Sequence, residues 1–392
     1  MAQPPLNKTK KRTACDIFSS EQKQQYKKPK TEEKEDTSFV DIDRCKGLLL
    51  GAAIGDSVGS YCEMSDERIP ELEMNFIMEM PGGGFWGDQV IAGQVTDDTE
   101  IAVALAYALS GMSTTFDIQT IAKNYAEWHK SKPFDQGFCT REVLNYAPNV
   151  AKMQTKALEY NNEKVIQYKS DGNCANGALM RCMPLILYGF NLDYENLYLL
   201  IKTEAELTHN NIFVFLVNMC YAIMVLYLLK CEMNEPDKHL NAYNTMHCWL
   251  SEQTKSPNLE KSKAAKVILT QWLKHVNDKN MKKLQIATVF KGFVKIAFQR
   301  VCYHLINTQT YFDAIKSVVS EGGDTDTNAC IVGGMMGALF GLHHIPNHYI
   351  DKIAKCDPAS ERDRYQPKWY SKDNIIPKLL QVAPQNFMTN NK

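Results

Sequence analysis

Two short segments of the chain place paired carboxylates and threonine hydroxyls directly before apolar helical patterns. Residues 96–100 read TDDTE, and residues 324–327 read DTDT. One Asp or Thr in front of a helix is typical of an N-cap, which needs a single side chain. Both segments exceed that need, since each carries two carboxylates with hydroxyls beside them. The repeated pattern favours a ligand-binding role over capping alone.

Oxygen ligands of this kind suit hard divalent cations. Gathered in one place, Asp97, Asp98, Asp324 and Asp326 would repel one another unless a cation lay between them. Carboxylate and hydroxyl oxygens favour Mg²⁺ as the bound ion, and Mn²⁺ and Ca²⁺ are the next candidates. Four carboxylates are many for one Mg²⁺ and fit two ions roughly 3.5–4 Å apart. An EF-hand calcium loop is excluded, because the sixth and twelfth positions from Asp324 carry neither Gly nor Glu.

Other side chains could act beside such a site. Asp56 lies inside a glycine-rich helical pattern, where a buried charge needs a partner, so it could hold the metal loops or cap a neighbour. Glu63 could transfer a proton, although an exposed Glu is more often merely solvated. A run of three glycines leads into Phe85 and Trp86, which is consistent with a lid or with an ordinary surface loop. It is no phosphate loop, because the G-K-[ST] ending is missing.

A further polar loop lies in residues 170–185, which read SDGNCANGALMRCMPL. Asn173, Asn176 and Gly177 precede an apolar helical pattern there. Free backbone N–H groups at such a helix start could receive phosphate oxygens. The segment is therefore a candidate for binding a phosphorylated ligand.

The composition limits the classes of protein that this chain could be. Its 392 residues are 44% apolar, which is enough for one large core or two modest ones, and the net charge of -1 argues against general nucleic-acid binding. Twelve Cys are scattered without a C-x-x-C pair, so zinc ribbons and redox dithiols are not expected. The first residues lack an apolar core, so no secretory signal is expected, and reduced thiols indicate a cytoplasmic or nuclear location.

One apolar segment has the length of a membrane span. Residues 212–229 read IFVFLVNMCYAIMVLYLL, with Asn218 as the single amide. The segment lies in mid-chain and has no basic flank on its N-terminal side beyond His209. These features favour a buried helix at the centre of an all-α core, and no membrane association is expected.

The elements that must position these residues are predicted to be helices. Two sets of glycines recur at four-residue intervals: Gly47, Gly51, Gly55 and Gly59, and Gly333, Gly337 and Gly341. Glycines spaced in this way share one helix face and let another helix approach closely. Because glycine destabilises a helix, this close approach is expected to serve a purpose. We predict that the two helices pack against each other near the centre.

The whole chain reads as an all-α fold, a single compact orthogonal helical bundle with a central metal-binding cleft. Strand-like alternation is scarce, and helical patterns cover the following stretches: 99–110, 116–130, 141–161, 310–323 and 374–385. Residues 41–392 are predicted to form this one domain. Within it, the polar segment 232–283 reads as a pair of surface helices rather than a second domain.

Residues 1–40 are polar and charged and are predicted to form a disordered arm. Two basic clusters between Lys10 and Lys30 resemble a bipartite nuclear localisation signal. The alternative is a solvated tail without a targeting role.

In their chain order, these motifs resemble the ADP-ribosylglycohydrolase family. The matching segments, between about residues 44 and 355, are GAAIGDSVGS, GGGFW, GQVTDDTEIA, PFDQG, NGALMR, ELTH and EGGDTDTNACIVGGMMGALFG. The resemblance implies an all-α fold holding two Mg²⁺, or Mn²⁺ in some members, in a central cleft. It also implies hydrolysis of the bond between ribose C1″ of ADP-ribose and an acceptor. The expected partners are ADP-ribosylated proteins or ADP-ribose derivatives. The protein itself is expected to be a monomer.

The resemblance also implies roles for individual residues. The implied metal ligands are Thr96, Asp97, Asp98, Asp324, Asp326 and Thr327. Glu63 matches an acidic position in members that act on O-linked ADP-ribose or its polymer. Asn173, Asn176 and Gly177 match the loop that holds the ribose and diphosphate, although SDGNCANG is longer than the usual G-N-G form. His209 in ELTH matches a His lining the substrate cleft, where a lone His is otherwise more often a core residue.

The implied chemistry is glycosidic cleavage through an oxocarbenium-like transition state. Metal ions on the ribose hydroxyls would fix the sugar and orient a water, while Glu63 or Asp98 would shuttle a proton. Phe85 or Trp86 would stack on the adenine or close over it. Two alternatives remain: a non-catalytic ADP-ribose-binding or structural protein, which should have lost metal ligands, and a metal-dependent nucleotide phosphohydrolase. The acceptor residue and the choice between mono- and poly-ADP-ribose stay open.

Overall fold

The structure, a computed structural model, describes five stretches of the chain: 40–112, 115–168, 171–252, 263–357 and 375–380. The predicted arm, with its basic clusters between Lys10 and Lys30, lies outside the described residues. The boundary between an arm and a domain near residue 40 therefore stays a prediction.

Every regular element longer than a bridge in the described residues is a helix, which confirms the predicted all-α fold. The first eight α-helices are α1 (Ile42–Gly59), α2 (Glu71–Ile77), α3 (Asp97–Ser110), α4 (Ile118–Lys130), α5 (Phe138–Leu144), α6 (Val150–Tyr168), α7 (Met183–Tyr188) and α8 (Tyr194–Ala205). The remaining described α-helices are α9 (Ile212–Lys230), α10 (Lys238–Glu252), α11 (Lys263–Trp272), α12 (Val294–Asn307), α13 (Tyr311–Val319), α14 (Thr325–Phe340), α15 (Asn347–Lys355) and α16 (Ile375–Leu380).

The centre of the fold is the packed pair of helices α1 and α14, both almost wholly buried. Gly47 faces the backbone of Gly337, and Gly51 faces the backbone of Gly333. A methyl group added at either position on α1 would overlap the carbonyl oxygen of the opposite helix. The predicted glycine-mediated packing of these helices is therefore seen in the structure. Gly341 lies just past the end of α14.

This close packing places the start of α14 beside the end of α1. The Thr325 hydroxyl donates to the carbonyl oxygen of Gly59 at 2.6 Å. Since Asp56 lies one turn earlier on α1, the DTDT segment and Asp56 are brought to the same end of the helix pair. The glycines of α1 thus position part of the site.

Helix α9 is the segment that sequence length alone would allow to cross a membrane. It is the one such helix in the described part of the chain, and 89% of its apolar window is buried inside the protein. The Tyr221 hydroxyl on α9 donates to the carbonyl oxygen of Ile331 on α14 at 3.0 Å. The helix therefore lies in the core, as the sequence predicted.

Two details refine the predicted organisation. The helical pattern 141–161 is two helices, because α5 ends at Leu144 and α6 begins at Val150. Pro148 lies in the gap, and a proline removes a backbone donor and disfavours helical geometry in the residue before it. In segment 232–283 the structure places α10 and α11, which contact each other; both pack against α9, and α10 also packs against α12.

Candidate active site

The TDDT segment is tied to α1 by Asp56. This buried carboxylate accepts from the backbone N–H of Thr96 at 3.0 Å and its hydroxyl at 2.8 Å, and from the backbone N–H of Thr99 at 3.1 Å and its hydroxyl at 2.5 Å. Burial raises the pKa of Asp56 to about 6, while the hydrogen bonds from the threonines lower it. Because both oxygens already accept hydrogen bonds, Asp56 is better suited to anchoring the start of α3 than to binding a ligand.

The DTDT segment is held by a different neighbour. The side-chain amide of Asn176 donates to Asp324 Oδ2 at 2.7 Å, and the backbone N–H of Thr327 donates to Asp326 Oδ1 at 2.8 Å. Asn176 was predicted to bind substrate, and the structure places it against a predicted metal ligand. Its contact links the polar loop around residues 171–177 to the second acidic segment.

The two segments meet at Asp98. The hydroxyls of Thr96 and Thr327 lie 3.1 Å and 3.3 Å from the same oxygen, Asp98 Oδ2. The other oxygen, Oδ1, is buried and has no hydrogen-bond partner in the described part of the chain. One oxygen each from Asp56, Asp98 and Asp326 lies within 4.8 Å of the others. Residues more than 220 positions apart in the chain thus form one oxygen-rich group.

A second group of carboxylates includes a residue that the sequence analysis missed. Glu63, Asp135 and Asp326 bring one oxygen each within 4.8 Å of the others. Asp135 belongs to the PFDQG segment between α4 and α5, and it hydrogen-bonds to Asp97. The backbone N–H of Gly137 also donates to Asp97 Oδ2, at 3.2 Å. The available signal was a lone acid in a short loop, with no paired acid or hydroxyl to single it out.

These six carboxylates are called the acidic cluster: Glu63, Asp97, Asp98, Asp135, Asp324 and Asp326. Burial raises the pKa values of Asp97, Asp98 and Asp326 well above their usual range, and neighbouring carboxylates add to the effect. Burial, together with the charges of Asp135 and Asp324, raises the pKa of Glu63 to about 8. The protein alone therefore disfavours full ionisation of the cluster.

The donor set of the acidic cluster fits divalent cations. All of its donors are oxygens, which hard cations prefer, and a cation between the carboxylates would offset their mutual repulsion. The unpartnered Asp98 Oδ1 is an orphaned buried acceptor of the kind that a metal ion satisfies. The cluster could therefore hold metal ions, and the assignment of individual ligands stays a prediction.

The glycine-rich segment brings aromatic side chains to Glu63. Trp86 donates its indole N–H to Glu63 Oε2, and its ring packs edge-on against Phe85 and Phe134, with centroids 5.1 Å apart in each pair. Phe85 is 57% exposed. Trp86 is therefore engaged with a carboxylate of the cluster, whereas Phe85 presents a free surface for stacking.

The remaining predicted substrate-binding residues lie along the polar loop. The side-chain amide of Asn173 donates to Cys139 Sγ at 2.9 Å. The ring of His209 lies against Gly177, where an added methyl carbon would come within 3.0 Å of the imidazole. Since Asn176 in the same loop holds Asp324, this loop borders the acidic cluster. The roles of Asn173, Gly177 and His209 in binding substrate stay predictions.

Comparisons with known proteins agree on one family. A family model described as ADP-ribosylglycohydrolase matches residues 37–380. The chain is similar to the "Putative ADP-ribosyl glycohydrolase L543" of Acanthamoeba polyphaga mimivirus, with 29% identity over 83% of this chain and 94% of that protein. It is also similar to the "ADP-ribosyl-[dinitrogen reductase] glycohydrolase" of Rhodospirillum rubrum, with 26% identity over 79% and 90%. A solved "ADP-ribosylglycohydrolase-related protein complex" shares the fold, with a TM-score of 0.60 and 19% identity over 87% of this chain and 97% of that one.

Proposed function

The chain belongs to the ADP-ribosylglycohydrolase family of glycosidic hydrolases, and we propose that it releases ADP-ribose from protein acceptor side chains, or from related ADP-ribose derivatives, with the help of Mg²⁺. The observation that carries this proposal is the meeting of the two acidic segments, where the hydroxyls of Thr96 and Thr327 contact one oxygen of Asp98. Burying several carboxylates together is energetically unfavourable, so this arrangement favours an enzyme over a non-catalytic protein on the same fold.

The proposed metal ligands come from both acidic segments. They are Thr96, Asp97, Asp98, Asp324, Asp326 and Thr327, which would hold two Mg²⁺, or Mn²⁺ in its place. Bound there, divalent cations would hold the ribose hydroxyls and lower the pKa of a water molecule. Asp98 fits the ligand role better than proton transfer, because it lies fully buried beneath two threonine hydroxyls.

Glu63 is the proposed proton-transfer residue. Trp86 donates to Oε2 of this carboxyl group, and a further hydrogen bond joins the group to Asp326. Glu63 is thereby held beside a proposed metal ligand, where it would exchange a proton with the reacting groups. Asp135 lies within the same group of oxygens and could share this work. In the reaction, a bond forms between a water oxygen and C1″ while the bond from C1″ to the acceptor breaks. The water loses a proton, and the departing acceptor atom gains one.

The polar loop and the aromatic segment would hold the rest of the substrate. Asn176 ties this loop to the cluster through Asp324, and the proposed contacts to the ribose and diphosphate come from Asn173 and Gly177 in the same loop and from His209, whose ring lies against Gly177. Phe85, with its exposed ring, is the better candidate for stacking on the adenine. Trp86 then acts chiefly through its hydrogen bond to Glu63.

The test is release of ADP-ribose from peptides ADP-ribosylated on Arg or on Ser and from the polymer, each with Mg²⁺, with Mn²⁺ and with EDTA. We expect release from at least one of these substrates, and its loss in EDTA. No release from any of them in the presence of either metal would contradict the proposal. Binding of ADP-ribose without turnover would favour a non-catalytic reader, and release of phosphate would favour a phosphohydrolase.

A further inference from the structure

A second buried polar group lies beneath the polar loop, and we call it the arginine network. Its members are Tyr125, Arg181, Glu204, Thr208 and His209, each no more than 1% exposed. Arg181 comes from the NGALMR motif, four residues after Gly177, and Thr208 and His209 come from the ELTH motif. The network therefore connects two segments that the sequence analysis treated separately.

The charges in this network are paired. Arg181 Nε contacts Glu204 Oε1 at 2.8 Å, and the Tyr125 hydroxyl donates to the same oxygen at 2.6 Å. Arg181 Nη1 also donates to the carbonyl oxygen of Gly177 at 3.1 Å. The guanidinium is thus fixed by a carboxylate on one side and by the polar loop on the other.

The remaining guanidinium nitrogen determines the orientation of the Thr208 hydroxyl. Arg181 Nη2 lies 2.7 Å from Thr208 Oγ1, and Thr208 Oγ1 lies 2.8 Å from His209 Nδ1. An arginine side chain can only donate, so the Thr208 oxygen accepts from it. The hydroxyl proton must then point elsewhere, and His209 Nδ1 is the acceptor that the described residues offer it. If Nδ1 carried a proton instead, the buried Thr208 hydroxyl would have no acceptor.

The other end of the His209 ring faces the polar loop. A methyl carbon built on Gly177 would lie 3.1 Å from Nε2, so this nitrogen sits directly beside the loop backbone. Burial, with the nearby Arg181 charge, lowers the pKa of His209 to about 3, which keeps the ring neutral at physiological pH. A neutral ring that accepts at Nδ1 carries its single proton on Nε2.

We propose that Arg181 and Thr208 are positioning residues that hold His209 in the tautomer with its proton on Nε2, so that this N–H donates to an oxygen of the ADP-ribosyl group bound beside Gly177. The identity of the acceptor oxygen rests on the proposed function. The tautomer itself follows from contacts within the chain and needs no substrate.

A second buried histidine provides a matched control. His304 Nδ1 lies 2.8 Å from the Thr308 hydroxyl, and burial, with the Arg300 charge, lowers the pKa of His304 to about 3. Its Nε2 is buried and has no partner among the described residues, whereas His209 Nε2 faces the polar loop. Removing the Thr308 hydroxyl therefore perturbs a similar Thr–His pair that no substrate is proposed to contact.

The experiment uses the full chain with ¹⁵N-labelled histidine rings, recorded by long-range ¹H–¹⁵N NMR. The His209 signals are assigned by their loss in His209→Gln. We expect the Nε2–H tautomer in the wild-type protein, and a mixture of tautomers in Thr208→Val. Affinity for ADP-ribose, measured by calorimetry, should fall on the order of tenfold in Thr208→Val, recover in Thr208→Ser, and stay unchanged in Thr308→Val.

An Nδ1–H tautomer in the wild-type protein would overturn the inference, and this result does not depend on the folding of Thr208→Val. Wild-type affinity in a folded Thr208→Val protein would overturn the link to ADP-ribose. Absence of turnover on every acceptor would count against the proposed function instead, because the tautomer spectra are recorded without substrate.

Discussion

The acidic cluster and the arginine network are two buried polar regions that both contact the polar loop. They differ in the groups that surround each buried charge. In the arginine network, Arg181 Nε lies 2.8 Å from Glu204 Oε1, and the Tyr125 hydroxyl donates to the same oxygen. In the acidic cluster, Asp98 and Asp326 face other carboxylates, and Asp98 Oδ1 has no partner in the described chain. The Arg181–Glu204 pair is neutralised within the protein, whereas the carboxylates of the cluster repel one another.

This difference indicates where the chemistry is performed. A group that is satisfied by its own protein can fix geometry but gains little from a ligand. A group of like charges gains most from an ion that arrives with opposite charge. We therefore expect substitutions in the cluster to change activity more than stability, and substitution of Glu204, which pairs with Arg181, to do the reverse.

The largest effect should come from Asp326, which belongs to both groups of carboxylates. We expect Asp326→Asn to lower kcat/KM by at least about 10³-fold, because it removes a proposed metal ligand. The metal-free protein should keep its stability or gain some, since one repelling charge is gone. The matched control is Asp66→Asn, whose carboxylate is 90% exposed and pairs with Lys291. Activity of Asp326→Asn within tenfold of wild type would remove this residue from the proposed site.

The opposite behaviour is expected of Glu204. Glu204→Gln leaves Arg181 as a buried charge without its partner, which should lower the free energy of unfolding by about 3 kcal/mol or more. Urea denaturation in EDTA measures this change. The control is Glu206→Gln, which breaks a partly exposed pair with Lys202 and should cost less than about 1 kcal/mol. Equal costs at the two positions would show that the network is not the stabilising region described above.

The pH dependence of metal-induced stabilisation sharpens the comparison. In the folded protein without metal, burial and neighbouring carboxylates raise the pKa of Glu63 from 4.5 to about 8 and that of Asp135 from 3.8 to about 6. The folded state then binds more protons than the unfolded state, so this contribution to stability is full below about pH 4 and is lost as the pH rises towards 8.

A divalent cation favours the ionised carboxylates, so the increase in Tm on adding Mg²⁺ should be larger at pH 8 than at pH 5.5. Thermal unfolding with Mg²⁺ and with EDTA at both pH values measures this difference. Groups that titrate outside the cluster, such as His209, affect both conditions equally and cancel. An increase in Tm that is the same at both pH values would contradict the account of the cluster.

The smallest effect is expected of Trp86. Trp86→Phe keeps an aromatic ring against Phe134 but removes the N–H that donates to Glu63 Oε2. Loss of one such hydrogen bond should lower kcat by about tenfold. Metal affinity should not change, because the Trp86 N–H donates to Glu63, which is not one of the proposed metal ligands. A variant that lost Mg²⁺ binding as well would show that Trp86 supports the whole cluster.

Much of the site could be predicted from local sequence patterns. The two acid-and-threonine segments stand out because each lies next to a long apolar helix, and glycines at four-residue spacing predict that α1 and α14 approach closely. These signals are local, so one sequence is enough to read them. Proline in the segment 141–161 was also visible, yet the continuous apolar pattern on either side concealed the break at Pro148.

What could not be predicted depends on contacts between distant parts of the chain. Asp135 and Asp326 lie close together in the structure although nearly half of the sequence separates them. The residues around Asp135, PFDQG, carry no pattern that predicts this contact. The proton direction in the Thr208–His209 pair depends on Arg181, 27 residues before Thr208. Hydrogen-bond direction follows from three-dimensional neighbours rather than from spacing.

The central claim is that divalent cations complete the acidic cluster. Isothermal titration calorimetry of the EDTA-stripped full chain with Mg²⁺, repeated with Mn²⁺, tests it most directly. We predict saturable binding to the wild-type protein, and loss of that binding in Asp326→Asn but not in Asp66→Asn. No heat of binding with either ion, or equal binding by wild type and Asp326→Asn, would contradict it.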